Sequence, residues 1–289
     1  MSKACGKIDW LASYPKSGNT WMRLLLANYF GEDDEPHDFN KPGVTNGIAS
    51  LRWRFDESLG LPSSDLTTDE VLTLQSHVYE MLAGEDPQHH WMKVHDAQKR
   101  LPDGSWLFPP AASGVVIYLI RNPLDVAVSL AFHDGHEDMQ RAVAKLCDRR
   151  GSLAGGSSPH LRQHLGSWSE HAESWIDQAD IPVLIVRYED MLADTGRELS
   201  RVINFARPGL DVDEARIAKA VAHTRFEKLK AAEDAKPFRE TPLRAKRFFR
   251  EGKAGDWRQH LSPSQVRQVI DHHAQVMARF GYESLEAAA

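Results

Sequence analysis

Lys16 sits in the stretch Tyr14-Pro15-Lys16-Ser17-Gly18-Asn19-Thr20, between a short apolar run at 8–13 and an apolar helical run at 20–30. A loop that carries a strand into a helix in this way has the physics of a phosphate cradle. Successive backbone N–H groups and the helix N-terminus face outward, a lysine adds a full charge, and hydroxyls add donors. The spelling differs from the G-x-x-x-x-G-K-S/T loop of nucleotide hydrolases, because Lys16 precedes Gly18 and no glycine opens the loop. That order suits one 5′ phosphate and a charged leaving oxygen, without a triphosphate–magnesium site. A plain strand-to-helix turn with a solvated lysine is the other reading of the loop alone. Three further groupings carry possible chemistry. Arg121 and Ser129 stand eight residues apart across Asn122-Pro123, which by itself is also an ordinary capped helix start. Lys93 and His95, two residues apart, fall on one side of an extended strand. Residues 239–253 hold six basic and two acidic side chains, a net +4.

That local positive charge contrasts with the whole chain. Its 289 residues carry 35 Lys plus Arg against 41 Asp plus Glu, a formal charge of −6, which argues against a protein built to coat nucleic acid or an anionic membrane. With 42% apolar and 26% charged residues the chain can bury a sizeable core. Charges interrupt every stretch long enough for a membrane span, and the first residues lack a signal-peptide core and cleavage site, so cytoplasmic residence is expected. Cys5 and Cys147 support neither a disulfide framework nor a cysteine zinc site. The histidines are scattered, and the adjacent pairs His89-His90 and His272-His273 point to different faces, so no metal site is expected.

The elements that must position these groups follow from pattern. Runs at 115–120 and 183–186 are short, rich in β-branched residues and almost free of polar alternation, as central parallel strands covered on both faces are; 91–94 is a weaker candidate. Asn122-Pro123 caps one helix, and Tyr188-Glu189-Asp190 opens another running toward Phe205. Residues 31–66 read as irregular surface structure, 67–82 as a helix, and 132–160 as a polar helix followed by a mobile loop at 151–159. Residues 161–178 read as one amphipathic helix. Ser262-Pro263-Ser264-Gln265 is a capping box for a helix to about Phe280, stopped by Gly281. The alternation predicts an α/β fold, with a central, mostly parallel sheet flanked by helices, in a single domain over 1–289.

Tyr14-Pro15-Lys16-Ser17-Gly18-Asn19-Thr20-Trp21 resembles the YPKSGTTW phosphosulfate loop of the soluble sulfotransferases that use 3′-phosphoadenosine-5′-phosphosulfate (PAPS), with Asn19 in place of the first threonine. The segment at 118–129 resembles that family's 3′-phosphate segment, in which the strand-end arginine and the helix serine bind the phosphate; here these are Arg121 and Ser129. Residues 248–257 are similar to its RKGxxGDW signature, which assigns Arg250 and Gly252 to the 3′ phosphate and includes Phe249. Glu251 departs from the usual lysine and removes a positive charge near that phosphate. By the same resemblance Trp21, Tyr188, Thr224 and Phe226 form the adenine pocket, while Lys16, Ser17, Gly18, Asn19 and Thr20 hold the 5′ end.

The resemblance implies a P-loop NTPase-like sulfotransferase architecture and transfer of the sulfuryl group of PAPS, with PAP as product, to a hydroxyl of a small organic acceptor. Lys93-Val94-His95 resembles the family's KTH segment, so His95 is the implied general base, Lys16 stabilises the leaving phosphate and Lys93 assists at the sulfuryl oxygens. No catalytic metal and no nucleic-acid or membrane partner is implied. A nucleotide kinase or NTPase with a variant phosphate loop, or a non-catalytic nucleotide-binding protein, is the competing function. Residues 31–90 and 132–170 are the variable regions in which an acceptor pocket and lid are expected. Trp53, Phe55, Tyr79, Phe132, Trp168 and Phe249 are candidates for an apolar acceptor wall, or for core. The family's K-x-x-x-T-V-x-x-x-E dimer pattern is not visible.

Overall fold

The computed structural model describes residues 7–41, 43–85, 90–156 and 158–282; Cys5, His89 and Ser157 lie outside them. In chain order the elements are β1 (Ile8–Ser13), α1 (Asn19–Phe30), β2 (Thr45–Ile48), α2 (Arg52–Leu59), α3 (Thr68–Glu85), β3 (His90–Val94), β4 (Ser113–Ile120), α4 (Pro123–His133), α5 (Met139–Cys147), β5 (Ser152–Leu153) and β6 (Gln163–His164). There follow α6 (Trp168–Ile176), β7 (Val183–Arg187), α7 (Tyr188–Ala193), α8 (Thr195–Ala206), α9 (Glu214–His223), α10 (Phe226–Ala235) and α11 (Pro263–Arg279). Five strands form one sheet in the order β2-β3-β1-β4-β7. Its four pairings are all parallel.

Both faces of the sheet are covered, which explains the unbroken apolar runs. Trp10, Ala12, Val116, Tyr118 and Ile120 face a core with α4, α5, α6 and α11, whereas Leu11, Ile117 and Leu119 face α1, α8 and α9. The period-2 alternation therefore separates two cores instead of core from solvent. Asn122 caps α4 through its side chain to the Leu124 N–H, and Ser262 with Gln265 closes a reciprocal capping box on α11. Among the described residues no helix is long and apolar enough to cross a membrane.

Three expectations need correction. Residues 31–66 contain the edge strand β2 and the helix α2. The helix placed at 161–178 begins only at Trp168: Gly166 turns at φ 67°, and a Ser167/Glu170 capping box starts α6. The helix toward Phe205 is two helices, because the Asp194 carboxylate caps α8 by accepting from the Arg197 N–H. In the loop at 151–159, Arg52 donates to the carbonyls of Gly156 (2.9 Å) and Ser158 (3.0 Å), and it also donates to Ser63 Oγ (2.6 Å).

Candidate active site at the carboxyl edge of the sheet

β1 has β3 on one side and β4 on the other, so the chain departs from it in opposite directions. The crevice outside the carboxyl ends of such strands is where open α/β sheets place ligands. A cavity of about 1280 Å³ opens there. The strand ends deliver its lining in sheet order: Ile48 from β2, His95 after β3, the loop at 14–20 after β1, Arg121 after β4 and Tyr188 after β7. At about 4.8 Å per strand this row spans roughly 19 Å.

The β1–α1 loop is shaped by two left-handed residues, Lys16 (φ 70°) and Gly18 (φ 99°). A Cβ on Gly18 would lie 2.9 Å from the Tyr188 ring, so glycine lets the loop pass beneath the ring. Asn19 turns its amide inward to the Leu11 carbonyl (2.8 Å) and to Ser13 Oγ (3.3 Å), leaving its main chain for any ligand. Arg121 donates to the carbonyls of Lys16 (3.2 Å) and Lys253 (3.1 Å) and lies 4.3 Å over the Tyr188 ring, joining the first loop to the basic C-terminal segment. Among the described residues the buried Ser17 Oγ, Trp21 Nε1, Arg23 Nε and Arg121 Nε have no hydrogen-bond partner. Buried donors are normally satisfied, so the orphans on Trp21, Arg23 and Arg121, residues that line the cavity, fit an anionic nucleotide that supplies the acceptors.

The C-terminal segment is pinned by Asp125 of α4, which accepts from the Gly255 N–H (2.7 Å) and the Trp257 N–H (3.1 Å). Arg250 pairs with Asp256 and lies 4.3 Å from the Phe132 ring centre. Gly252, at φ 62°, leaves no room for a Cβ, which would meet Phe226 at 2.2 Å. Glu251 lines the cavity and stands 3.8 Å from Arg250 and from Lys253, so its carboxylate competes for the positive charges of its own segment.

Catalytic candidates meet at the centre of the row. His95 Nδ1 lies 2.9 Å from the Ser13 carbonyl, so it carries the proton and Nε2 keeps the lone pair. Burial, reinforced by Lys93, pushes His95 well below the usual histidine range. Lys16 Nζ donates to His133 Nδ1 (3.1 Å) and lies 4.2 Å over the Phe248 ring. Burial first, then Arg121 and Lys93, lowers Lys16 to about 7. His133 is lowered to about 3 by burial and by Lys16, and so remains a neutral acceptor. Lys93 Nζ pairs with Glu240 Oε2 at 3.0 Å and Arg23 with Glu240 Oε1 at 2.5 Å. Burial raises the Glu240 pKa, but Lys93 and Arg23 outweigh it and hold the carboxyl at about 2.

Of the residues singled out from sequence, His95, Lys16, Lys93, Gly18, Asn19, Thr20, Trp21, Arg121, Ser129, Tyr188, Thr224, Phe226, Phe249, Arg250 and Gly252 all line this cavity. Ser17 is fully buried behind the loop. The six aromatic residues read as acceptor wall or core divide mostly toward core. Phe55, Tyr79 and Trp168 are core, Trp53 is exposed on α2, Phe132 packs beneath Arg250, and only Phe249 reaches the cavity. Sequence reading missed His133, Arg23 and Glu240. His133 stands four residues beyond Ser129 and Arg23 three beyond Thr20, each on the helix face already in use, and that spacing was the available signal.

The sulfotransferase domain family matches residues 9–281 of the chain. Sulfotransferase 1E1 of Rattus norvegicus is 26% identical over 277 residues, covering 92% of this chain and 81% of its own. Cytosolic sulfotransferase 12 of Arabidopsis thaliana is 27% identical over 274 residues, covering 90% and 74%. The fold is similar to that of mouse sulfotransferase SULT7A1 complexed with PAP, with a TM-score of 0.60 at 20% identity over 94% of this chain and 85% of that one. It is equally similar to retinol dehydratase in complex with androsterone and PAP, with a TM-score of 0.60 at 21% identity over 93% and 80%. A strand-loop-helix phosphate cradle, a strand-end arginine and a glycine-bearing basic segment thus converge in a chain that belongs, along nearly its whole length, to the sulfotransferase family.

Proposed function

We propose that the protein is a PAPS-dependent sulfotransferase that acts on a hydroxyl of a small organic acceptor, within one domain whose segments 31–90 and 132–170 supply the acceptor pocket and lid. The carrying observation is the linear order along the sheet edge. His95 and Lys16 occupy adjacent places, with the nucleotide-type groups Arg121 and Tyr188 to one side and the β2 edge to the other. PAP in the mouse SULT7A1 and retinol dehydratase complexes supports the choice of nucleotide.

PAPS supplies a sulfuryl group whose S–O bond to the 5′ phosphate breaks as a new S–O bond forms to the acceptor oxygen. His95 Nε2 takes the acceptor's proton, its tautomer fixed by the Ser13 carbonyl and its low pKa keeping it unprotonated. Lys16 faces the oxygen on which charge accumulates, and its burial strengthens that interaction. Arg121, Ser129 and Arg250 bind the 3′ phosphate, Trp21, Tyr188, Thr224 and Phe226 enclose the adenine, and Lys93 serves the sulfuryl oxygens once Glu240 yields it. We place the enzyme in the cytoplasm, in line with the name of its Arabidopsis relative.

Calorimetry tests the donor: PAP binds without magnesium, and a preference for ATP–magnesium would overturn the reading. His95→Ala is expected to abolish transfer while PAP binding persists; unchanged turnover would remove His95 as the base.

A further inference from the structure

Resting on that sulfotransferase reading, we infer that Gln163 determines acceptor specificity, and that the acceptor is an aliphatic alcohol bearing a second hydrogen-bonding group. Residues 160–165 lie at the acceptor end of the row. The Leu161 N–H donates to the Ser50 carbonyl (2.8 Å) just beyond β2. The Ala97 N–H donates to the His164 carbonyl (2.7 Å) just beyond β3, and the His164 N–H donates to Asp96 Oδ1 (2.7 Å). Strand alternation sends Gln163 and Leu165 into the cavity and His164 away from it, and Leu153, the partner of Gln163 in the β5–β6 pair, joins them. The lining drawn from 47–51 and 151–165 sets Ile48, Leu51, Leu153 and Leu165 beside the polar Ser152, Ser158 and His160, with no Phe, Tyr or Trp. Within this wall Gln163 is 4% exposed, and its amide oxygen has no partner among the described residues. Gln98, equally buried, donates to the Phe108 carbonyl and accepts from the Phe108 N–H. His160 Nδ1, on the same wall, is unpartnered as well.

A buried, unpaired amide discriminates by what it is denied. An acceptor with a single hydroxyl at His95 leaves the Gln163 amide unpaired, whereas a second hydroxyl, donor and acceptor at once, satisfies it in either amide orientation. A phenol finds no aromatic ring on this wall, and one without a second hydroxyl offers the amide oxygen no donor.

The test compares 1-alkanols with α,ω-alkanediols of the same length, from about four to about ten carbons, with 4-nitrophenol as the aromatic probe and PAPS as donor. At a favoured length the diol is expected to exceed the alkanol in kcat/KM by about tenfold or more, well above the statistical factor of two for two hydroxyls. Gln163→Leu is expected to bring that ratio down to about two and to raise turnover of the alkanol. Gln163→Met, close to glutamine in volume, gives the same reading, and PAP titration verifies that each variant is folded. A ratio of two at every length, an unchanged ratio in both variants, or turnover of 4-nitrophenol alone would overturn the inference and leave the sulfotransferase reading standing. PAP binding with transfer to no alcohol or phenol would overturn both.

Discussion

His171 Nε2 donates to the main-chain carbonyl of His95 at 3.0 Å, while its Nδ1 accepts from the Tyr118 hydroxyl at 2.8 Å. Beyond β3 the chain leaves the sheet, and one face of α6 takes over its hydrogen bonding: Trp175 Nε1 donates to the Asp96 carbonyl (2.9 Å) and Ser174 Oγ accepts from the Gln98 N–H (3.1 Å). Positions 171, 174 and 175 share a helix face, so α6 is a rail that fixes the proposed base. His171→Ala is expected to lower kcat about 10- to 100-fold through displacement of His95. PAP affinity should stay within about twofold, and His171→Gln, which keeps a donor, should recover part of kcat. An equal loss of PAP binding and kcat would show a merely structural role.

Lys16 gives a proton-linkage signature. Its pKa of about 7 in the free protein arises from burial and from its cationic neighbours Arg121 and Lys93. Phosphate groups of a bound nucleotide favour the charged form and raise that pKa, so binding takes up protons. Uptake approaching about one proton at pH 8, and falling toward zero near pH 6, is expected from calorimetry in buffers of different ionisation enthalpy. Lys16→Arg, charged throughout this range, should abolish it. Identical heats in Tris and HEPES at pH 8 would contradict the linkage.

Glu251 draws on Lys253 and on Arg250, the arginine proposed for the 3′ phosphate. Replacing it with lysine removes that competition and adds a cation at a half-exposed site. PAP affinity of Glu251→Lys is expected to rise by about two- to fivefold at low salt and to converge on wild type as salt screens the site. An unchanged or weaker affinity at low salt would mean that the carboxylate does not oppose the donor.

Gly252→Ala tests the adenine end. The new methyl meets Phe226 at 2.2 Å from a left-handed backbone position, so either the ring or the loop must move. PAP affinity is expected to fall about tenfold or more, with kcat at saturating PAPS nearly unchanged because His95 lies on another strand end. A kcat loss at saturation larger than the affinity loss would argue against separate ends.

Much of this arrangement was legible in the chain because its causes are local. Two-sided burial wrote 115–120 and 183–186 as apolar runs, and Asn122-Pro123 and Ser262-x-x-Gln265 wrote helix starts in capping chemistry. The loop around Lys16 and Gly18 was legible through its residue types. What escaped has two physical sources. Leu161 and Leu165 have helical spacing with Trp168, yet Gly166 and the Ser167/Glu170 box cut the helix there, so the capping signal outranked the periodicity. Glu240 in a basic stretch reads as a solvated acid. Its partners Lys93 and Arg23 stand 147 and 217 residues away, and only the folded chain brings them together.

The order of the five parallel strands has a consequence for how this enzyme can change. The proposed acceptor residue Gln163 stands beyond β2 and β3, and the proposed nucleotide residues Tyr188 and Gly252 stand beyond β7 and beside the Arg121 loop after β4. Energetic effects at such separated positions combine by simple addition of free energies, to within about 0.5 kcal/mol. Acceptor choice can therefore drift over many substitutions without eroding the grip on the nucleotide, so that one edge of the sheet is free to diversify while the other is held constant.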